Sequence, residues 1–295
     1  MRVLSLFDGI SCGQLALERA GIPIDVYYAS EIDKYAIQVT QKKYPNTIQL
    51  GNVNNINSSQ FIKEIDLIIG GSPCQNLSSI NKYTCNGLSG TKSSLFYKFY
   101  EALKTIKPRY FMLENVASMK VKDRDIITNL LGIEPIMINS ALVSAQTRRR
   151  LYWTNIPNVT MPQDKKKNIL SVLEREVDDI YYLSDKMKKY IFSSTDKYIN
   201  NAQINLLKAR PLTTAHDKRA NTTNYYSDDF INGGSPERIR RLTPIECERL
   251  QTLPDGYTEN ISRTQRYKCI GNGWTVDVIA HIFKGLKDGE NNVIF

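Results

Sequence analysis

Two histidines in 295 residues supply Ser-His or Cys-His catalysis poorly. The five cysteines are odd in number, scattered and without C-x-x-C spacing, which argues against a disulfide framework and against a zinc site, so no metal is expected. No apolar run approaches the roughly 18 to 20 residues that a membrane span needs. The opening Met1–Asp8 is too short and too soon acidic for a signal peptide. A reduced, cytoplasmic setting without a membrane partner is the expectation, nucleoid-associated if the source is bacterial or phage. Acidic charge is also in deficit. With 39 Lys and Arg against 30 Asp and Glu, the net charge is +9, which points to an acidic partner, nucleic acid first. Internal repeats are missing as well.

What is present reads as an α/β chain with ample length for a buried core. A strand over 2–7 leads into Asp8-Gly9-Ile10-Ser11-Cys12-Gly13, and an apolar-faced helix over 14–20 is stopped by Gly21. Strand, glycine turn and helix open a nucleotide-binding unit, yet Gly9 and Gly13 do not make G-x-G-x-x-G, so a dinucleotide pyrophosphate is not the expected ligand. A second strand over 26–30 ends in Glu31, at a distance from Gly9 that suits an acid bonding a ribose diol. A loop at Gly51-Asn52-Val53 would close over an adenine. An adenosine cofactor without phosphates fits this set, S-adenosylmethionine being the commonest; the alternative is a doubly wound domain with an unrelated ligand.

The apolar run Ile65–Ile69 predicts a buried parallel strand, and Gly70-Gly71-Ser72-Pro73-Cys74-Gln75 follows it. Pro73 restricts its own φ and biases Ser72 away from helix, which holds Cys74 at the strand's C-terminal mouth. A thiol there is a candidate nucleophile, and a half-buried cysteine without chemistry is the plain alternative. The loop over 76–94, rich in Ser, Asn, Gly and Lys, is long enough to be functional. A helix over 95–106 and a strand over 110–113 then place Glu114-Asn115-Val116 at the same sheet edge as Cys74. Two more strands, 136–138 and 150–153, bracket Gln146-Thr147-Arg148-Arg149-Arg150; on a strand, Arg148 and Arg150 share one face.

From about residue 155 the chain turns polar, tyrosine-rich and weakly periodic, and Lys208, Arg210, His216, Lys218 and Arg219 cluster there. A smaller, irregular basic domain is the expectation, a solvated insertion the alternative. Thr243 then begins a helix as N-cap, with Pro244 at the first position and Glu246 completing a capping box. A last helix over 276–286 is opened by Ile270-Gly271-Asn272-Gly273-Trp274.

In this order, Phe7-Asp8-Gly9, Glu31, Gly-Ser-Pro-Cys-Gln, Glu114-Asn115-Val116, Gln-x-Arg-x-Arg at 146–150, Arg240–Gln251 and Gly271-Asn272 resemble the DNA cytosine-5 methyltransferases over nearly the whole chain. Asp8-Gly9-Ile10, Asn76-Leu77-Ser78, Leu95-Phe96, Val116–Met119 and Gly273-Trp274 look like the animal de novo enzymes of that family. The helix from Leu242-Thr243-Pro244 looks more like bacterial modification enzymes. The resemblance implies a Rossmann-like sheet that binds S-adenosylmethionine, released as S-adenosylhomocysteine. It also implies a second, smaller irregular target-recognition domain. The expected borders are 1–157 for the catalytic domain, 158–257 for target recognition, and 258–295 for a segment returning to the catalytic domain.

By the same resemblance, Cys74 attacks carbon 6 of a flipped cytosine, Glu114 bonds N3 and the exocyclic amine, and Arg150 holds O2. Arg148 holds loop and backbone phosphate. The implied cofactor set is Phe7, Asp8, Gly9, Ile10, Cys12, Gly13, Glu31, Ile32, Asn52, Val53, Pro73, Leu95, Asn272, Gly273 and Trp274. Most relatives carry Asp where this chain has Asn52; the amide oxygen can still accept from the adenine amine, so weaker or altered binding is expected. Gln75, Ser78, Arg210, His216, Lys218 and Arg219 are the candidates for contact with double-stranded DNA. The rivals are a tRNA cytosine methyltransferase on the same scaffold, which Glu114-Asn115-Val116 and the chain length disfavour, and a catalytically idle nucleic-acid binder. Recognition sequence, a cognate restriction endonuclease as partner, and oligomeric state are left open by the sequence.

Overall fold

The structure, a computed structural model, describes residues 1–73, 95–192, 203–216 and 222–290, with side chains through 287. The chain divides into two compact units: Met1–Asn139 with Arg149–Met161 and Val278–Phe295, and Ser140–Arg148 with Pro162–Asp277. Residues 140–148 and 258–277, which the expected borders give to the catalytic part, thus group with the second unit.

The first unit is built on a seven-stranded sheet in the order β3-β2-β1-β4-β5-β7-β6. The strands are β1 Arg2–Leu6, β2 Val26–Ser30, β3 Ile48–Gln49, β4 Leu67–Gly71, β5 Tyr110–Val116, β6 Ile136–Asn139 and β7 Arg149–Thr154. β3, β2, β1, β4 and β5 pair in parallel, and β7 runs antiparallel to both neighbours. Crossovers are made by α1 Cys12–Ala20, α2 Lys34–Lys43, α3 Phe96–Ile106 and α4 Val121–Leu131. Both faces of a parallel sheet are covered, which is why β1, β4 and β5 read as nearly unbroken apolar runs. Leu4, Leu6 and Ile68 join Phe96, Phe99 and Ile106 of α3 and Trp153 of β7 in one core. Burying a side chain of this size contributes roughly 1.5–3 kcal/mol.

Local signals account for the ends of these elements. Gly21 closes α1 at φ 68°, a conformation without steric cost only for glycine, and its N–H returns to the Glu18 carbonyl at 2.9 Å. A Cβ on Gly70 would stand 2.9 Å from the Phe99 ring and 3.0 Å from the Leu6 carbonyl oxygen, so β4 runs beside β1 only with glycine there. Strand order reverses between β1 and β4, and in open α/β sheets the crevice beyond such a reversal is where ligands bind. β5 continues through Val116, so Glu114 and Asn115 lie within the strand rather than after it.

In the second unit, the helices are α5 Asp185–Phe192, α6 Asp228–Asn232, α7 Pro244–Leu250 and α8 Arg263–Asn272, and β8 Tyr225–Ser227 pairs antiparallel with β9 Ile239–Arg241. Among the described residues between these, much of the chain is irregular. Thr243 and Glu246 form the capping box of α7 as expected. Glu246 also receives two hydrogen bonds from Arg240, at 2.7 and 2.8 Å, a pair with side chains 0% and 1% exposed. Each charge has its opposite and further hydrogen bonds, which such burial requires. α8 was hidden in the sequence because Arg263–Asn272 is polar almost throughout, and it takes in Ile270 to Asn272 as its last turn. The final helix over 276–286 is in fact two, α9 Val276–Phe283 and α10 Gly285–Glu290. Gly285 meets the Pro157 carbonyl so closely that no Cβ fits. Among the described residues, no helix is long and apolar enough to cross a membrane.

Candidate active site

The turn between β1 and α1 leaves the sheet with Phe7, Gly9 and Ser11 all at positive φ, 61°, 63° and 58°. For Phe and Ser such a conformation costs roughly 1–2 kcal/mol, and strain of this kind persists where other contacts over-determine it. The principal one is Glu31, at the end of β2. Its Oε2 accepts from the Gly9 N–H at 2.8 Å, and Oε1 accepts from Ile32 and Asp33, each at 2.8 Å. A carboxylate has about four acceptor sites. Three hold backbone, and the remaining one suits a ligand hydroxyl. Ile32, next along, is 73% exposed and offers an apolar face. Val53 belongs to the core cluster around Leu6 and the half-buried Phe7 packs against it, while Asn52 is exposed. Ile10 and Cys12 are buried side chains, and Gly13 lies inside α1. The stretch from Phe7 to Gly13 carries no Lys or Arg. Carboxylate, amide and apolar plate without a cation suit a nucleoside lacking phosphates.

Asp8 lies beneath this turn. Its Oδ1 accepts from the Tyr27 hydroxyl at 2.8 Å, and Oδ2 is buried without a partner. Burial pushes the carboxyl from 3.8 up to about 6, although the Tyr27 hydroxyl favours the charged form. The native state therefore holds the proton more tightly than the unfolded chain. Stability falls as pH rises from about 4 to about 6, and stays reduced above that. Asp8→Asn is expected to raise the unfolding free energy at pH 7 by on the order of 2–3 kcal/mol and to gain nothing below about pH 4. Denaturant titrations at the two pH values check this; an equal gain at both would contradict it.

On the other side of the strand reversal, Gly71 of β4 pairs with Glu114 of β5. Asn115 Nδ2 donates to Ser72 Oγ at 3.1 Å, which anchors the segment two residues before Cys74. Pro73 is the last residue described there, and Cys74, Gln75 and Ser78 lie outside the described residues. Leu95, where the description resumes, is half-buried at the head of α3. Antiparallel pairing puts Val116 opposite Arg150, so Arg150 and Glu114 are neighbours across β5 and β7. Arg150 Nε and Glu114 Oε1 are 2.8 Å apart, with side chains 15% and 11% exposed. A carboxylate and a guanidinium thus converge on the same edge, close enough to water to be reached and screened enough to act strongly. Asn115 had no role assigned from sequence; its signal was an amide in an otherwise apolar strand.

Within the second unit, Arg148 departs from the expected contact with phosphate. It is 4% exposed and spends its guanidinium on carbonyls: Nη1 to Leu212 at 2.8 Å, Nη2 to Gly271 at 3.3 Å and to Gly273 at 3.0 Å. Gln251 Nε2 also donates to Gly273, at 3.0 Å, and its Oε1 accepts from Gln146 Nε2 at 3.1 Å and from Thr275 at 2.8 Å. The backbone at Gly271 and Gly273 is therefore held by buried side chains of its own unit. A Cβ on Gly271 would come 2.4 Å from the Thr213 carbonyl oxygen, so only glycine allows that approach. His216 also departs from expectation: it is 1% exposed, and burial lowers it to about 4, so its ring cannot read a base edge from there. Arg210 is half-buried, its backbone clasped by Asn224, whose Oδ1 accepts at 2.8 Å and whose Nδ2 donates at 3.3 Å. Lys218 and Arg219 lie outside the described residues.

Comparisons with known proteins agree with this geometry. The family model for C-5 cytosine-specific DNA methylase matches residues 1–288. The type II methyltransferase M.NgoBI of Neisseria gonorrhoeae is 30% identical, over 94% of this chain and 90% of that protein. The type II methyltransferase M1.ScrFI of Lactococcus lactis subsp. cremoris is 28% identical, over 94% of this chain and 76% of its own. Among solved structures, the Entamoeba histolytica methyltransferase EhMeth superposes with TM-score 0.78 at 20% identity, covering 98% of each chain. The S. pombe Dnmt2 methyltransferase gives 0.74 at 17% identity, covering 99% of each. At such identities the structures establish the fold.

Proposed function

The chain belongs to the C-5 cytosine-specific DNA methylase family, and from that premise we propose that it methylates carbon 5 of a cytosine flipped out of duplex DNA, through a covalent bond between the Cys74 sulfur and carbon 6. Bound S-adenosylmethionine supplies an electrophilic methyl on a sulfonium and leaves as S-adenosylhomocysteine. Carbon 5 of cytosine is too poor a nucleophile to take that methyl unaided. The Cys74 thiolate adds its electron pair to carbon 6, and the ring electrons move toward carbon 5 and N3. Glu114 meets the charge at N3 and the exocyclic amine, and Arg150 meets it at O2. Carbon 5 takes the methyl; loss of its proton to a base then returns the electron pair to the ring and expels the thiolate. The target carbon cannot be reached inside a stacked duplex, so the base must leave it.

The observation that carries this reading is the Glu114–Arg150 pair at 2.8 Å, on neighbouring strands beside the anchored Ser72-Pro73 segment. Preorganised partners for developing charge are commonly the largest catalytic term. The residues at the first crevice fit the adenosyl group: Glu31 has one acceptor site for a ribose hydroxyl, and Ile32 offers an apolar face for the purine. The names of the type II relatives support a cognate restriction endonuclease as partner. The test is incorporation of labelled methyl from S-adenosylmethionine into duplex DNA and into tRNA, followed by bisulfite sequencing of plasmid from cells expressing the protein. Label in DNA at protected cytosines is expected. Label confined to tRNA, or none at all, overturns the proposal.

A further inference from the structure

Beside Glu114 and Arg150 the chain forms a short basic rim. Past Val116 it runs Ala117-Ser118-Met119-Lys120-Val121-Lys122 into α4, and Arg149 begins β7 next to Arg150. Lys120, Lys122 and Arg149 are all exposed. Successive side chains on a strand take opposite faces, so Arg149 shares its face with Leu151 and Trp153 rather than with Arg150. Trp153 Nε1 donates to Thr128 Oγ1 at 3.0 Å, which puts α4 on that face. From this bond, β7 leads back to Arg149 over roughly 13 Å, and α4 leads back to Val121 over roughly 10 Å. Both therefore reach the sheet edge at a similar height. The Ala117 N–H joins them by donating to the Arg149 carbonyl at 3.5 Å.

Charge is divided along this edge of the sheet. The turns after β1 and β2, residues 7–11 and 31–33, hold Asp8, Glu31 and Asp33 and no Lys or Arg. Residues 117–122 and 149 hold Lys120, Lys122 and Arg149 and no acid. Asp123, the next acid along, is turned inward at 5% exposure, and Asp125 is bound to Arg124 at 2.8 Å. Among the described residues, no carboxylate pairs with Lys122 or Arg149. Like charges gathered at one rim repel one another, and a polyanion laid across them relieves that repulsion.

Resting on the DNA reading of the neighbouring site, we propose that Lys120, Lys122 and Arg149 hold the phosphodiester backbone beside the reacting base. A base leaves the stack by rotating about its backbone, so the phosphates next to it come to the same edge as Arg150. Contacts of this kind read no sequence. They fix the place of the strand, and they bind by releasing its counterions.

The test is equilibrium binding of a labelled, mixed-sequence DNA duplex to the full-length protein over a range of salt. The rim variant combines Lys120→Gln, Lys122→Gln and Arg149→Gln. The control removes as much charge from the other end of the same strands, replacing Lys63 before β4 and Lys107 and Arg109 before β5, all exposed, by glutamine. Each phosphate contact contributes about 0.9 to the slope of log K against log salt. The rim variant is therefore expected to lose about 2 to 3 from that slope and to bind at least about tenfold more weakly at low salt, while the control keeps the wild-type slope. Should the rim variant fail to fold, Lys122→Glu alone is expected to lower the slope by at least about 1. Equal losses in rim and control, or no loss at the rim while the wild type still methylates DNA, overturn the inference and leave the proposed function standing. A loss seen with tRNA but not with the duplex also overturns it. A wild type without salt-dependent affinity for the duplex overturns both.

Discussion

Replacing Cys74 by serine is expected to lower methyl transfer to DNA by at least about 10³-fold, with DNA binding kept within a few-fold. A free thiol ionises near 8.5, and a hydroxyl several units higher, so serine supplies almost no nucleophile at neutral pH. No other group described at this edge can replace it: Glu114 and Arg150 are committed to each other at 2.8 Å, and Asn115 is spent on Ser72. A second readout separates lost chemistry from lost folding. In a duplex whose mapped target cytosine carries fluorine at carbon 5, no proton can leave after methyl transfer, and so the thiolate cannot be expelled. The wild type should then stay joined to the strand through detergent electrophoresis, and Cys74→Ser should not. Undiminished turnover in the serine variant would remove Cys74 from the mechanism.

Glu114→Gln is the second large effect, an expected fall in kcat of on the order of 10²- to 10³-fold with the KM for S-adenosylmethionine little changed. Glutamine keeps the length and can still form hydrogen bonds to the ring edge, but it cannot carry the negative charge or exchange the proton that N3 requires. Its amide oxygen can still face Arg150, so the loss should fall on turnover more than on stability. The carboxylate's place supports this separation. Glu114 is on the cofactor-side sheet yet outside the Phe7–Glu31–Asn52 crevice, in register with Gly71. A rise in the cofactor KM with kcat unchanged would instead make Glu114 a binding residue.

Particular elements show how far the chain could be read before its structure was known. β2 was legible to the residue, because Val26–Ser30 is a short apolar run bounded by turn residues. The capping box at Thr243 and Glu246 was legible too, since both partners lie within one helical turn. α8 was not, because Arg263–Asn272 shows almost no apolar period. The arginines are the sharpest case. The sequence puts Arg148 and Arg150, two residues apart, on one strand face, with Arg150 expected at the base and Arg148 at loop and backbone phosphate. Arg150 pairs with Glu114, whereas Arg148 is buried against carbonyls more than 60 residues away in sequence.

Local order and the family followed from residue order alone, because strand runs, caps, turn glycines and the ordered motif blocks are written within a few neighbours. The fate of each polar side chain did not. Whether Asp8 keeps its proton, Arg148 is spent on carbonyls or His216 meets solvent depends on which groups from distant parts of the chain arrive beside it. Folding settles that by leaving few buried donors and acceptors unpaired, a condition set by partners the chain brings together from far apart.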